Sequence, residues 1–265
     1  GESPIYEPGL ESLVKQNVAK GRLHFSHDVP ESIQNADIIF VAVGTPQGSN
    51  GEANLSAIES VAKTIGENLN GYKIICTKST VPVGTGKRIE EIIRSMNPNG
   101  DFDYVSNPEF LREGAAVKDF FHPDRVVIGT RTQKAIKVIG EVYQPLYINK
   151  TPIISTTVET AEMIKYAANA FLSLKISYIN EIANLCEAVG ADVQDVARAM
   201  GLDGRISAKF LHPGPGYGGS CFPKDTHALV AMGQKNRSPL LTVEAAIKTN
   251  ASQKVRMVDK LKRLM

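Results

Sequence analysis

A glycine-rich run leads directly into a cysteine in the last third of the chain. Residues 213–225 read Pro-Gly-Pro-Gly-Tyr-Gly-Gly-Ser-Cys-Phe-Pro-Lys-Asp, so that Lys224 and Asp225 follow closely behind Cys221. Glycine lets a backbone come close to a bound group, and a nearby cation increases the thiolate fraction of a thiol. A surface turn that happens to contain a cysteine explains the combination less well. The segment therefore predicts that Cys221 is a catalytic nucleophile.

A second segment carries two carboxylates. Residues 107–114 read Asn-Pro-Glu-Phe-Leu-Arg-Glu-Gly and follow a predicted strand at 102–106, and α/β sheets bind ligands at such carboxyl ends. Glu109 and Glu113 share one face if the segment is helical, and paired carboxylates can hold water and transfer protons. Taken alone, the segment is better explained as a helix start with solvated acids.

A third segment pairs a lysine with an amide. Lys165 and Asn169 lie one turn apart on a predicted helix and share a face with Ala161 and Leu172. Two such donors beside small and apolar residues could stabilise a developing oxyanion. Taken by itself, the segment is better explained as a helix face exposed to solvent.

The elements that must position these groups alternate between short apolar runs and amphipathic stretches over the first 150 residues. Buried strands are predicted at 38–43, 73–77, 102–106 and 125–128, with helices at 56–69 and 86–96. Continuous apolar strands that alternate with helices predict an α/β fold with a doubly wound parallel sheet.

The pattern changes after residue 156. Residues 157–189 lack proline and glycine and keep a helical spacing, with Thr157 as the predicted cap and Gly190 as the end. A helix of this length measures roughly 50 Å, and we expect it to span a domain junction or a subunit interface. Further helices are predicted at 192–200 and 243–264. The expected division is therefore 1–156 and 157–265, the second part being all-α.

The bulk composition excludes several classes of protein. The 265 residues are 42% apolar and 22% charged with a net charge of +2, which gives no reason to expect nucleic acid or a membrane as a partner. Three widely spaced cysteines predict free thiols in a reducing, cytoplasmic compartment. Cys76 and Cys186 are expected to be small core residues, and no metal site is expected.

The three segments together resemble the UDP-glucose 6-dehydrogenases of the UDP-glucose/GDP-mannose dehydrogenase family. The resemblance also includes Gly44-Thr45-Pro46, Pro-Asp-Arg-Val-Val-Ile-Gly at 123–129, and Lys-Ser-Thr-Val-Pro-Val-Gly at 78–84, in the same order along the chain. It implies NAD as the cofactor and UDP-glucose as the substrate. It also implies a Rossmann-like NAD domain, a central domain built on a long helix, and a C-terminal nucleotide-binding domain.

A dinucleotide fold is expected to place Gly-x-Gly-x-x-Gly directly after a strand. The one glycine run of this kind, residues 214–219, lies late and follows no predicted strand. The expectation is that the sequence begins inside a partial Rossmann-like NAD domain and ends where the third domain would start.

The resemblance also implies a mechanism in which a primary alcohol becomes a carboxylate through two hydride transfers. Cys221 would attack the C6 aldehyde, and the resulting thiohemiacetal would be oxidised to a thioester. Lys165 and Asn169 would stabilise the oxyanion, and Asp225 would assist proton transfer. The resemblance gives water-handling roles to Glu113, near the nicotinamide, and to Glu109, in thioester hydrolysis.

The remaining roles follow from matching positions. Those that match cofactor contacts are Thr45, Thr80, Glu113 and Lys224, with Thr80 also among the catalytic positions. Those that match sugar-nucleotide contacts are Glu109, Phe110, Leu111, Arg112, Lys165, Arg205, Phe210, Leu211, His212, Pro213, Gly214 and Gly218. The resemblance has Arg205 reach the neighbouring subunit, which implies a homodimer formed through the long helix 157–190.

Two alternatives stay open at this point. The substrate could be GDP-mannose or a UDP-N-acetylhexosamine, although the sequence around Cys221 favours UDP-glucose. Alternatively, the 265 residues could form a dimerisation fragment that does not turn over substrate.

Overall fold

A computed structural model describes residues 4–48, 51–149 and 151–265 of the protein. The chain divides into two compact units: the first comprises residues up to 45 together with 55–165, and the second comprises 46–54 together with 166–265. The sequence analysis divides the chain near residue 156, at the start of the long helix. In the structure the chain passes from one unit to the other within that helix, after Lys165.

The first unit is built from alternating helices and strands. In chain order its elements are α1 Leu10–Ala19, α2 Val29–Asn35, β1 Ile38–Val41, α3 Ser56–Asn68, β2 Lys73–Thr77, α4 Thr85–Met96, β3 Phe102–Ser106, α5 Ala116–Phe121, β4 Val126–Gly129, α6 Gln133–Tyr143, a 3₁₀ helix Gln144–Asn149, and β5 Ile153–Thr156. The predicted strands and the two predicted helices of this part are confirmed, and α1, α2, α5, α6, the 3₁₀ helix and β5 are additional.

The described strands form one sheet in the order β1-β2-β3-β4-β5. Side chains alternate between the two faces of a strand. In β2, Ile75 therefore joins the core packed against α3 and α4, whereas Ile74 and Cys76 join the core packed against α6. Both faces are buried, which explains the continuous apolar runs and confirms the α/β class.

One strand departs from the predicted parallel arrangement. β4 runs antiparallel to β3, and Ser106 and Gly129 form the single registered pair, whereas all other neighbours are parallel. Parallel neighbours need a connection that crosses a face of the sheet. The intervening α5 buries no residue, so it does not provide such a crossover, and β4 returns in the opposite direction.

The remaining helices are α7 Val158–Val189, α8 Val193–Leu202, α9 Phe222–Lys235 and α10 Leu241–Leu264. The predicted long helix is confirmed within a residue: Thr157 Oγ1 accepts a hydrogen bond of 3.2 Å from Thr160 N at one end, and Gly190 adopts a φ of 76° at the other. α9 is additional to the prediction. None of the described helices combines the length and apolar character that crossing a membrane requires.

Two apolar clusters hold the second unit together. One joins α7, α9 and the start of α10, and the other joins α7 to α8 and the loop before the glycine-rich run. Their fully buried members are Tyr166, Ala170, Ala228 and Leu229 in the first, and Ile179, Ala197 and Leu211 in the second. The glycine-rich run is thereby anchored on its N-terminal side.

A buried acid of α7 caps a helix of the sheet domain. α4 begins after Gly84 and has no side-chain cap of its own. Glu162 Oε2 accepts a hydrogen bond from Gly84 N at 2.8 Å, and its Oε1 accepts one from Gly86 N at 2.7 Å. Free N–H groups at a helix start need such acceptors. Burial raises the pKa of Glu162 to about 7, and the two backbone donors partly offset this rise.

We predict that this carboxyl group makes stability depend on pH. The pKa of Glu162 is raised above its usual 4.5 in the folded protein, so the folded state holds the proton more tightly and loses stability as the pH rises from about 5 to about 8. Relative to Glu162→Gln, the wild-type free energy of unfolding should fall by roughly 1–3 kcal/mol over this range. Urea unfolding at both pH values measures it. Glu67→Gln, at an exposed position of α3, should show the same change of unfolding free energy with pH as the wild type. An equal change in wild type and Glu162→Gln would refute the prediction.

Candidate active site

In the second unit, a buried carboxylate lies one turn into α9 behind the predicted nucleophile. Asp225 is 1% exposed; its Oδ2 accepts a hydrogen bond from Asn169 Nδ2 at 2.6 Å, and its Oδ1 accepts one from Lys224 Nζ at 2.5 Å. A buried charge needs partners of this kind. The structure thus brings three of the predicted site residues into one hydrogen-bonded cluster.

Cys221 occupies the cap position immediately before α9. Its side chain is half-buried, and Ser220 Oγ lies 3.6 Å from its Sγ. The unpaired N–H groups at a helix start create a positive potential that favours a negatively charged group, which is the setting of many reactive cysteines. Cys76 and Cys186 are buried, as predicted, and burial raises the pKa of the Cys76 thiol to about 12.

In the first unit, Lys165 pairs with the first of the two predicted carboxylates. Lys165 Nζ donates to Glu109 Oε1 at 2.9 Å, with the lysine side chain 4% exposed and that of Glu109 27% exposed. The ring of Phe110 lies beside this pair: Lys165 Nζ is 5.4 Å and Arg125 Cζ 3.6 Å from its centroid. Cation–π contacts of this kind hold a ring in one orientation.

Glu109 and Glu113 were expected to share one face if the segment 107–114 were helical. The segment is a loop, so this expectation does not apply. Glu109 Oε2 instead accepts a hydrogen bond from Leu111 N at 2.5 Å, which bends the chain locally and competes with helix formation. Arg112 is exposed and pairs with Asp119 at 2.6 Å. Leu111 and Glu113 are also exposed.

A buried polar network that the sequence analysis missed fixes the start of this loop. Asn107 Oδ1 accepts from Lys78 Nζ at 3.0 Å and from Tyr143 OH at 2.5 Å, while Asn107 Nδ2 donates to Val127 O at 2.7 Å. Burial lowers the pKa of Lys78. A lysine directly after a buried strand is the available sequence signal, but its partner Tyr143 lies 65 residues away.

Two threonines tie together the carboxyl ends of adjacent parallel strands. Thr45 follows β1, Thr80 follows β2, and Thr45 Oγ1 donates to Thr80 O at 2.8 Å. Both residues are buried. Ligands of parallel α/β sheets bind outside this edge, and neutral hydroxyl and main-chain groups here fit part of a dinucleotide. These residues would hold that part of NAD.

The remaining predicted substrate positions lie along residues 205–218 of the second unit. Arg205 is exposed and its guanidinium pairs with Asp203 at 2.6 Å. Phe210 has a φ of 66°, and its ring lies 6.1 Å from that of Phe222. The other positions differ in exposure: Leu211 is buried, Pro213 and Gly214 are half-buried, and His212 and Gly218 are exposed.

The sequence matches two family descriptions that together span most of its length. Residues 1–147 match "UDP-glucose/GDP-mannose dehydrogenase family, NAD binding domain", and residues 159–252 match the central domain of the same family. The chain is 55% identical to a UDP-glucose 6-dehydrogenase of Rhizobium meliloti over 98% of its own length, and 54% identical to UDP-glucose 6-dehydrogenase TuaD of Bacillus subtilis over 100%. It spans 60% and 57% of those two proteins.

Solved structures give the same picture. A UDP-glucose dehydrogenase from Pyrobaculum islandicum superposes with a TM-score of 0.91 at 37% identity, over 95% of this chain and 58% of that one. A GDP-mannose dehydrogenase from Pseudomonas aeruginosa superposes with a TM-score of 0.75 at 34% identity, over 99% and 62% of the respective chains.

We predict that the buried carboxylate of the second unit is needed for its stability. Asp225→Asn turns one acceptor oxygen into an NH₂ group that must face Asn169 Nδ2 or Lys224 Nζ, both of which are donors. The loss should be roughly 1–3 kcal/mol of unfolding free energy, as for other buried groups left unsatisfied, measured by urea unfolding. Asp195→Asn removes an exposed ion pair with Arg198 and should change stability by less than about 0.5 kcal/mol. Equal effects of the two substitutions would contradict this view of the cluster.

Proposed function

The chain belongs to the UDP-glucose/GDP-mannose dehydrogenase family, and we propose that it supplies the catalytic nucleophile of an NAD-dependent UDP-glucose 6-dehydrogenase. The observation that carries the proposal is the cluster behind Cys221, in which Asp225 is buried and bonded to Asn169 and Lys224. A half-buried thiol at a helix start, with a buried acid one turn further along, is suited to covalent catalysis on a carbonyl carbon.

The proposed reaction takes the sugar C6 from alcohol to carboxylate in two oxidations. When bound, NAD accepts a hydride in each of them. The alcohol first loses a hydride and a proton to give the aldehyde. The Cys221 sulfur then adds to the aldehyde carbon as a proton goes to its oxygen, and loss of a second hydride and a proton leaves a thioester. Water cleaves the carbon–sulfur bond, which releases the acid and returns the thiol.

The donors on α7 have a complementary role in this proposal. Lys165 and Asn169 would donate hydrogen bonds to the oxygen that becomes negatively charged when sulfur or water adds to the carbon, where fixed donors act most strongly. Asp225 orients the Asn169 amide through the bond of 2.6 Å. Glu109, held by Lys165, would take a proton from the water that cleaves the thioester, and Glu113 would hold water near the nicotinamide.

The choice of UDP-glucose rests on the relatives. Two proteins more than 50% identical to this chain are named UDP-glucose 6-dehydrogenases, whereas the similar GDP-mannose dehydrogenase structure is 34% identical. We assign the substrate contacts proposed above to UDP-glucose on this ground. Three cysteines kept as free thiols in the described residues support a reducing cytoplasmic compartment.

We also propose a homodimer formed through α7. Phe171, Tyr178 and Leu185 recur at intervals of seven residues on this helix, and their side chains are 61%, 48% and 58% exposed. Residues at this spacing share one face of a helix, and an exposed apolar stripe of this kind is typical of an association surface. Arg205, exposed and held by Asp203, would then be available to a substrate bound to the other copy.

The mechanism makes a stoichiometric prediction. A purified enzyme that contains this chain should form two NADH for each UDP-glucose consumed, measured by absorbance against chromatographed UDP-glucuronate. Cys221→Ser should lower turnover at least about 1,000-fold because the covalent step is lost. Cys186→Ser, at a buried position of α7, serves as the matched control and should stay near wild-type rates. One NADH per sugar in the wild type would overturn the proposal.

The dimer makes a second prediction. Leu185→Asp places a charge in the proposed contact, so the dimer dissociation constant should rise at least about tenfold, the equivalent of losing one buried leucine side chain. Sedimentation velocity over a concentration series measures this constant. Leu202→Asp makes the same change at a leucine that is 84% exposed outside the stripe and should leave association unchanged. A monomeric wild type would refute the proposal.

A further inference from the structure

The backbone of the glycine-rich loop is bound at two points by amide side chains. Gly214 N donates to Asn180 Oδ1 at 2.8 Å, and Gly214 O accepts from Gln253 Nε2 at 2.8 Å. Tyr217 N donates to Asn250 Oδ1 at 2.7 Å, and Tyr217 O accepts from Asn250 Nδ2 at 3.0 Å. Both main-chain polar groups of both residues are therefore satisfied by side chains.

We refer to Asn180, Asn250 and Gln253 as the amide clamp. They are 1%, 6% and 3% exposed, and they belong to helices α7 and α10 of the second unit. Asn184 Nδ2 donates to Gln253 Oε1 at 2.9 Å, which fixes the orientation of that amide. Asn250 and Gln253 each use both the donor and the acceptor of the amide, whereas Asn180 is bonded only through its oxygen. An amide bonded at both ends holds a backbone in one position, because each lost bond leaves a buried group unpaired.

The glycine between the two bound residues makes the clamp possible. Gly216 has a φ of 103°, a conformation that side chains of L-residues rarely adopt. A Cβ atom at this position would lie 2.4 Å from Asn250 Oδ1. Only glycine therefore lets the Asn250 amide reach the backbone of the next residue. This glycine serves the close approach of a protein side chain.

The clamp lies on the direct path to the predicted nucleophile. Gly218, Gly219 and Ser220, which are exposed, connect Tyr217 to Cys221. On the far side, Asp225 N donates to Cys221 O at 2.9 Å as the first turn of α9 forms. The thiol thus lies between a bound loop residue and a helix start, and only three residues separate it from the clamp.

We propose that the amide clamp is a positioning device for Cys221: Asn250 and Gln253 fix the glycine-rich loop so that the thiol is presented in one half-buried position. These residues act through the loop and do not touch the reacting atoms. The value of this position for turnover rests on the function proposed above. The position itself does not, and it can be tested without substrate or cofactor.

Two isosteric substitutions test the clamp. Asn250→Asp and Gln253→Glu each replace an NH₂ donor with a carboxylate oxygen that faces a backbone carbonyl, whereas Asn236→Asp makes the same change at the exposed C-terminal end of α9. The measurement is the alkylation rate of each cysteine by iodoacetamide at fixed pH, followed by peptide mass spectrometry. Cys76 and Cys186 are buried and report on general loosening of the fold.

We expect the Cys221 rate to rise at least about fivefold in both clamp variants because a released loop uncovers the half-buried thiol. Cys76 and Cys186 should stay unreactive, and Asn236→Asp should match the wild type. A Cys221 rate within twofold of wild type, a lower rate, or a parallel rise at all three cysteines would each overturn the proposal. None of these outcomes depends on whether the enzyme oxidises UDP-glucose.

A measurement on the wild type covers the case in which a variant does not fold. Amide hydrogen exchange at single-residue resolution should show the N–H groups of Gly214 and Tyr217 exchanging at least about 100-fold more slowly than those of Gly218 and Gly219. Equal exchange rates would show that the clamp does not hold the loop. With an active enzyme, Asn250→Asp, whose bonds are to Tyr217 and not to a proposed substrate position, should lower kcat more than it changes KM, since the thiol acts after substrate has bound.

Discussion

The structure depends on a single requirement, that the polar side chains buried along α7 find partners. This helix buries a polar residue at almost every turn, and each of these is at most 7% exposed: Glu162, Lys165, Asn169, Ser173, Ser177 and Asn180. A buried polar group without a partner costs several times more than a bonded one gains. Each of the six makes a hydrogen bond, and five of these bonds reach another element, whereas Ser173 donates to Asn169 O within α7.

The partners explain why a helix as long as α7 is needed. Within the first unit, Glu162 caps α4 and Lys165 holds the loop that carries Glu109. Within the second unit, Asn169 binds Asp225 of α9, and Ser177 donates to Ala246 O of α10 at 2.9 Å. A helix keeps its side chains at fixed intervals of 1.5 Å rise and 100° rotation, so within each unit α7 fixes the elements that it binds. The opposite face carries the exposed apolar residues through which we propose that the dimer forms.

Sequence patterns were sufficient for the parts of the fold that depend on local periodicity. The apolar strands and α7 with its Thr157 cap could be predicted because neighbouring residues carry the signal. The antiparallel β4 could not be predicted, since its direction follows from a short helix that fails to cover the sheet. The helix α9 was hidden by the glycines and Pro223 at its start, although proline is well tolerated there.

The same distinction applies to the site. Lys165 and Asn169 could be found because one turn separates them, but their partners Glu109 and Asp225 each lie 56 residues away. Lys78, Glu162 and the amides around the glycine-rich loop were missed for this reason. The available sequence signal is an acid or amide at a position where the helical period predicts burial.

The glycine-rich loop shows how a flexible sequence can form a rigid site. Glycine loses more conformational entropy on folding than any other residue. Four glycines before a nucleophile therefore conflict with the need of catalysis for reacting groups that are held in place. Gly216 resolves the conflict, because the missing side chain is the space through which Asn250 reaches the backbone. Hydrogen bonds from buried amide side chains order the loop, which its glycines alone would leave flexible. Its order therefore comes from α7 and α10, the helices that also form the core of the second unit.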